Sequence, residues 1–225
     1  MGRAAWKWLS FAITVTTGLV MFVGADAAPA AAGSNELSMT IRVYDYQHLP
    51  LASIARAQQR VTDIYSTIGV RTEWREVTRP SQAQGFDPKT IPDAEDLLVI
   101  VLRPEMSRHK QFSDNVLGSA VVTPHDGGRI AYVLFDRLKE MAKVAAADPM
   151  DAMGVVIAHE LGHLMLPGQG HSSMGLMRAT WSPRELRSAF EGQMAFTTEQ
   201  GISIRSRLLR MASVSGDKPV VTAGD

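Results

Sequence analysis

The chain has 225 residues, which suits a single globular domain with a short additional segment. Hydrophobic residues make up 45% of the sequence and charged residues 20%, so the chain can bury a core and is not a wholly disordered or collagen-like protein. Lysine and arginine together number 23, as do aspartate and glutamate, and this balance lacks the basic excess of a nucleic-acid binder. Cysteine is absent, which excludes disulfides, thiolate zinc sites and cysteine nucleophiles.

The N-terminal region has the pattern of a secretory signal peptide. Arg3 and Lys7 precede an apolar stretch, and small residues then offer Ala-x-Ala cleavage sites at 25–27 and 28–30. The apolar stretch is shorter than the about 20 residues that a transmembrane helix requires. We therefore expect cleavage, no stable membrane anchor afterwards, and a secreted or periplasmic location. The predicted divisions of the chain are a signal peptide over 1–30, a linker over 31–36, a folded domain over 37–211 and a flexible tail over 212–225.

Two strands and a helix are predicted at the start of the folded domain. Apolar and polar residues alternate over 37–46, which predicts a half-buried strand. Apolar residues then recur at helical spacing over 51–68, and Gly69 follows where a helix C-cap often needs a left-handed residue. Alternation resumes over 70–77 as a second strand, and the proline and glycine residues within 79–91 predict a loop.

The middle of the chain predicts three further strands. A continuous apolar run within 96–102 is typical of a strand that is covered on both faces. Residues 103–115 are mostly polar, and they predict irregular structure. Strands over 117–123 and 129–136 flank the turn sequence at 125–128, and this arrangement predicts a hairpin.

The last part of the domain is predicted to be helical. A short helix is expected over 138–147. The Asp-Pro pair at 148–149 then provides an N-cap and a first helical residue for a longer helix, which the Pro-Gly pair at 167–168 ends. A capping box at 182–185 begins another helix, and an amphipathic helix over 197–211 closes the domain.

The candidate chemistry lies in the longer helix, which contains the sequence His-Glu-Leu-Gly-His. Histidines four residues apart project from one face of a helix about 6 Å apart, so His159 and His163 can converge on one zinc ion. Glu160 can reach a water molecule on that metal without being a ligand itself. The apolar residues of the helix would seat it in the core, and they are Met153, Val156, Ile157, Leu161 and Leu164.

A catalytic zinc site typically takes three protein ligands and leaves one position open for water. His171 follows a turn that contains proline and glycine, so the chain can reverse and bring this side chain back to the metal. The alternative third ligand is a carboxylate, Glu185 or Glu191, as in gluzincin-like sites. Three isolated histidines are expected to be solvated, and they are His48, His109 and His125.

The segment from His159 to Met177 resembles the metzincin clan of zinc metalloproteases, and its His-Ser pair at 171–172 resembles matrixin-type members. The resemblance implies an α+β fold with a twisted, mixed five-stranded sheet, a backing helix, an active-site helix and a C-terminal helix. It implies Zn²⁺ bound by three histidines, at 159, 163 and 171. It also implies that Glu160 serves as general base and then general acid, and that Met177 forms the Met-turn beneath the metal.

The activity implied by the resemblance is that of a secreted zinc-dependent endopeptidase, in which a zinc-bound water activated by Glu160 hydrolyses peptide bonds. A peptide or protein substrate would lie extended against an exposed edge strand, for which residues 117–123 are the candidate. We expect a monomer that binds no nucleic acid. The sequence departs from the clan pattern in two respects. The third histidine lies two residues further along than usual, and the cysteine-switch propeptide of the matrixins is missing.

A second class of hypothesis is a secreted, non-catalytic binding module with a structural zinc site. Structural zinc sites are usually closed by a fourth protein ligand and have no use for a carboxylate next to the first histidine. The presence of Glu160 therefore favours the peptidase over the binding module.

Overall fold

The computed structural model of the protein describes residues 37–81, 86, 96–109, 112–113, 116–123, 125–181 and 183–216. They belong to one compact unit of the chain, Asn35–Asp225. The predicted signal peptide and linker lie outside the described residues, as do residues 217–225 of the predicted tail. In the described part of the chain, no helix combines the length and the apolar character that a membrane span requires.

Among the described residues, five strands form one mixed sheet: β1 (Ser38–Asp45), β2 (Arg71–Trp74), β3 (Leu97–Val101), β4 (Gly118–Thr123) and β5 (Gly127–Val133). Their spatial order is β2-β1-β3-β5-β4, and every neighbouring pair is parallel except the antiparallel pair β4 and β5. The strand β4 therefore occupies one edge of the sheet. The predicted mixed sheet and the predicted hairpin are both confirmed.

The burial of the strands follows the sequence patterns that predicted them. Every residue of β3 is buried, as its continuous apolar run indicates. Buried and half-buried residues alternate along β1, because successive side chains of a strand point to opposite faces. The strand β2 is shorter than predicted. Its pairing with β1 stops at Trp74 and resumes only in an isolated bridge between Tyr44 and Thr78.

The helices in the described residues are α1 (Leu51–Ser66), α2 (Pro104–His109), α3 (Phe135–Ala145), α4 (Pro149–Met165), α5 (Pro183–Phe190) and α6 (Thr198–Gly216). The fold is thus α+β. The backing helix is α1, the longest buried helix is α4 and the C-terminal helix is α6. Gly69, just past α1, has a φ of +68°, as a helix-terminating glycine requires.

The main differences from the predicted helices are one additional helix and two shifted boundaries. The expectation of irregular structure over 103–115 is wrong for α2, whose six residues are too few to show helical periodicity in the sequence. The helix α3 begins at Phe135, three residues earlier than predicted, because Phe135 and Leu138 both bury on its inner face. The helix α6 continues through 212–216, where the tail was predicted to begin, since no proline interrupts it.

The helix α4 lies in the centre of the domain, where it contacts α1, β4 and β5. Asp148 caps its N-terminus by accepting a hydrogen bond from the Met150 N–H at 2.7 Å, and Pro149 occupies the first turn, as predicted. At Gly154 a side chain would meet the Ala57 carbonyl of α1 at 2.7 Å, so the two helices approach closely there. All five of the apolar residues that were expected to seat this helix are buried.

Candidate metal centre

Two of the predicted zinc ligands lie on consecutive turns of α4. His159 and His163 project from one face of the helix, and their Nε2 atoms are 3.1 Å apart. His159 is buried, with 8% of its surface exposed, whereas His163 is half-buried. The Nδ1–H of His159 donates a hydrogen bond to the carbonyl oxygen of Leu176 at 2.8 Å. This bond leaves Nε2 of His159 with a free lone pair directed to the cluster.

The third histidine lies on the loop that follows α4. The helix ends at Met165, and Gly168 then adopts a φ of +72°, which lets the chain turn back. His171 is thereby placed with its Nε2 atom 3.2 Å from Nε2 of His163. The ligand nitrogens of the three histidines all lie within 4.8 Å of one another. Within this turn Gly168 has the left-handed conformation, whereas Gly170 does not.

The alternative carboxylate ligands are not brought to this cluster. Glu185 on α5 forms an ion pair with Arg178, and Glu191 is exposed just after α5. Within the described residues, the group with the spacing of metal ligands consists of the three histidines alone. The structure thus favours His171 over both carboxylates as the third ligand.

The donor set fits zinc in its chemistry and spacing. Tetrahedral coordination at the usual zinc–nitrogen distances places ligand nitrogens about 3.3 Å apart. The two nitrogen–nitrogen distances of 3.1 and 3.2 Å are close to that value. Burial, together with a smaller contribution from the neighbouring histidines, lowers the pKa of both His159 and His163 to about 4. These imidazoles are therefore neutral at pH 7, as ligation requires.

The carboxyl group of Glu160 is held by the edge strand of the sheet. Glu160 is buried, with 6% of its surface exposed, and it accepts a hydrogen bond from the backbone N–H of Ala120 in β4. A side chain at Gly118 would meet Cγ and Oε1 of Glu160 at 2.7 Å, so this glycine makes room for the carboxylate. Burial raises the pKa of Glu160 to about 8. The carboxylate consequently has a high affinity for a proton.

Met177 packs against the helix that carries the first two histidines. It is fully buried, and a side chain at Gly162 would lie 2.5 Å from its Sδ atom. Gly162 stands between the histidines of the motif, so Met177 contacts α4 at their level. The backbone of the loop that leads from His171 to Met177 is closed by a hydrogen bond from the Ser172 N–H to the Met177 carbonyl at 2.8 Å.

The histidine cluster opens into a cleft with a volume of about 970 Å³. One wall is the stretch around β4, which includes Gly118 and Ala120, and another is α3 with Met141 and Val144. Trp181 also lines the cleft, and its ring packs edge-on against the His159 ring with centroids 5.7 Å apart. Sequence reasoning identified the β4 wall but missed α3 and Trp181, because neither carries a recognisable motif.

Two of the remaining histidines, His48 and His125, lie apart from the cluster. His48 is exposed, and its Nε2 atom lies 3.0 Å from the Pro80 carbonyl oxygen. His125 is exposed in the turn between β4 and β5. These two side chains are at the surface, as predicted, whereas the side chain of His109 lies outside the described set.

Two solved structures share features of this fold. An archaemetzincin from Methanopyrus kandleri is 18% identical, with a TM-score of 0.49, over 78% of this chain and 98% of that chain. Metalloproteinase-II from Bacteroides fragilis is 11% identical, with a TM-score of 0.47, over 76% of this chain and 53% of that chain. No family model and no curated protein matches the chain. The likeness to matrixin-type members stays a prediction from the sequence.

Proposed function

We propose that this protein is a zinc metallopeptidase of the metzincin type. In this proposal, His159, His163 and His171 hold the metal, and Glu160 transfers protons. The observation that carries the proposal is the convergence of three imidazole nitrogens within 4.8 Å of one another, next to a buried glutamate in an open cleft. A metal site with three histidines and a nearby general base is the arrangement of catalytic zinc.

Each residue of the proposed site has a separate task. A bound zinc ion would supply Lewis acidity, which polarises a peptide carbonyl and lowers the pKa of water. Glu160, oriented by the Ala120 N–H, accepts a proton from the attacking water and delivers it to the nitrogen of the leaving amine. The Leu176 carbonyl fixes the ring of His159 in the tautomer that leaves Nε2 free. Met177 supports α4 from below as a hydrophobic floor, in the position of a Met-turn.

The substrate in this proposal is an extended peptide or protein segment beside β4. This strand lies at the edge of the sheet and lines the cleft, so its outer side is available for main-chain pairing. Pairing of that kind holds a chain that continues in both directions, which supports endopeptidase activity. The signal-like N-terminal sequence supports a secreted or periplasmic location.

The decisive experiment replaces the proton-transfer group and keeps the metal ligands. We expect Glu160→Gln to retain zinc and to lower turnover of a fluorogenic peptide or of casein by about 10²- to 10⁴-fold. The amide is nearly isosteric with the carboxylate but cannot accept the proton. Cleavage by the variant at the rate of the parent protein would overturn the proposed mechanism.

A chelator separates the peptidase from the binding module. If the metal is catalytic, cleavage stops when the metal is removed and returns when zinc is restored. If the untreated protein cleaves nothing and chelation only lowers its melting temperature, the protein is a non-catalytic module with a structural metal.

A further inference from the structure

The N-terminus of α6 is closed by a reciprocal pair of hydrogen bonds. The Thr197 backbone N–H donates to Oε1 of Gln200 at 2.9 Å, and the Gln200 backbone N–H donates to Oγ1 of Thr197 at 3.3 Å. A backbone N–H can only donate, so Oε1 must face Thr197 and the amide nitrogen must face the other way. Gln200 is buried, with 7% of its surface exposed, so its Nε2 atom needs another partner.

That partner is the residue after the third histidine. Nε2 of Gln200 donates to Oγ of Ser172 at 3.2 Å, and Ser172 Oγ donates onward to the Met174 carbonyl at 2.7 Å. The hydrogen bonds therefore run in one direction, from α6 through Ser172 into the loop. The Ser172 hydroxyl uses its single proton on the Met174 carbonyl, so towards α6 it can only accept.

The loop is also held by backbone hydrogen bonds and by its buried C-terminal end. His171 itself is exposed, while the Ser172 N–H donates to the Met177 carbonyl and the Leu176 N–H donates to the Ala195 carbonyl. The helix α6 is fixed to the core by the buried side chains of Ile204 and Leu208. The amide of Gln200 thus connects the residue next to the exposed His171 to a helix that is anchored in the core.

We propose that Gln200 is a positioning residue that holds His171 in place for metal binding. The proposal rests on the proposed function, because it takes the three histidines as the zinc site. With the amide contact in place, the loop is ordered before the metal arrives, and binding need not order it. Contacts that orient metal ligands typically change affinity by about 10- to 100-fold when they are removed.

The test is Gln200→Glu, which changes one atom of the side chain from a donor to an acceptor. The remaining carboxylate oxygen can still accept the Thr197 N–H, so the cap of α6 is kept. The other oxygen cannot donate to Ser172 Oγ, so the contact survives only if the hydroxyl withdraws its proton from the Met174 carbonyl. We expect zinc affinity, measured by competition with a chromophoric chelator, to fall by about 10- to 100-fold. The melting temperature of the metal-free protein should stay within a few degrees of the parent's.

Two further variants separate positioning from general stability. Thr197→Ala removes the other half of the cap without touching Ser172, so we expect a lower melting temperature and unchanged zinc affinity. Ser172→Ala removes the receiving hydroxyl, and we expect it to weaken zinc binding by itself. Adding Gln200→Glu to Ser172→Ala should cause no further loss, because the two changes break the same contact.

The outcomes distinguish this inference from the proposed function. Unchanged zinc affinity in Gln200→Glu, or additive losses in the double variant, would overturn the role of Gln200 while the parent protein still bound zinc and cleaved peptides. Failure of the parent protein to bind zinc at all would overturn the proposed function and this inference together. If Thr197→Ala loses as much zinc affinity as Gln200→Glu does, the loss comes from a less stable α6, and the positioning role of Gln200 is wrong.

Discussion

The three histidines reach the same point by two different routes. His159 and His163 belong to one buried helix, and their separation follows from the helical pitch alone. His171 belongs to an exposed loop, and its place depends on the turn at Gly168 and on hydrogen bonds to distant segments. The comparison teaches that the helix-borne pair is specified by local sequence, whereas the loop-borne histidine is specified by tertiary contacts. The following predictions test that difference.

The largest effect is expected from removing a ligand. His171→Ala should lower the zinc content from about one ion per chain to near zero, because two imidazoles do not complete the site. Its matched control is Glu185→Ala, which removes the alternative carboxylate and should keep the zinc. Metal analysis after gel filtration measures both. Zinc lost in the control and kept in His171→Ala would show that the ligand is the carboxylate.

Replacing the helix-borne histidine should affect the stability of the metal-free protein more than replacing the loop-borne histidine. His159→Ala leaves the Leu176 carbonyl without its donor, so we expect a loss of about 1–3 kcal/mol in the free energy of unfolding. His171→Ala removes an exposed side chain, and we expect a change within about 0.5 kcal/mol. Denaturant titrations of the two metal-free variants compare these values. Equal destabilisation would contradict the difference drawn between helix and loop.

Gly162 tests the contact between the helix and the loop. Gly162→Ala places a methyl group 2.5 Å from Sδ of Met177, and we expect overpacking of about 1–3 kcal/mol with weaker zinc binding. Gly170→Ala is the control, since a side chain there meets nothing within 4 Å. Thermal melts of the two variants compare their stabilities. If both glycines tolerate alanine equally, Met177 does not support the helix in the manner described.

The smallest effect concerns the support of α4 by α1. The Tyr65 hydroxyl donates to the Ala158 carbonyl at 3.3 Å, and burial raises its pKa well above its ordinary value of 10.0. Because its folded pKa exceeds its unfolded pKa, this stabilisation is complete below about pH 10 and is lost as the pH rises through it. Tyr65→Phe should cost about 0.5–1.5 kcal/mol at neutral pH.

Urea unfolding across the alkaline range checks the sign of that effect. The parent protein should lose stability above about pH 10, and Tyr65→Phe should lose less over the same range. A steeper alkaline loss in the variant would contradict the assignment to Tyr65.

Much of the fold and the core of the site could be predicted because their signals are local. The Asp-Pro start of α4, its apolar spacing and the two histidines all lie within one segment of sequence. The surroundings of Glu160 could not be predicted, because Gly118 and Ala120 come from a strand that folding alone brings near it. The same holds for Gln200, because its contact with Ser172 joins two segments that are far apart in the sequence.

The two glycines of α4 have a consequence for the order in which the protein matures. Gly154 and Gly162 allow close packing against α1 and Met177, but each lowers the intrinsic helicity of the segment by about 0.5–1 kcal/mol relative to alanine. A free peptide with this sequence is therefore a poor helix and a poor chelator. Under the proposed function, metal capture follows assembly of the domain, so a chain that is still unfolded would not sequester zinc.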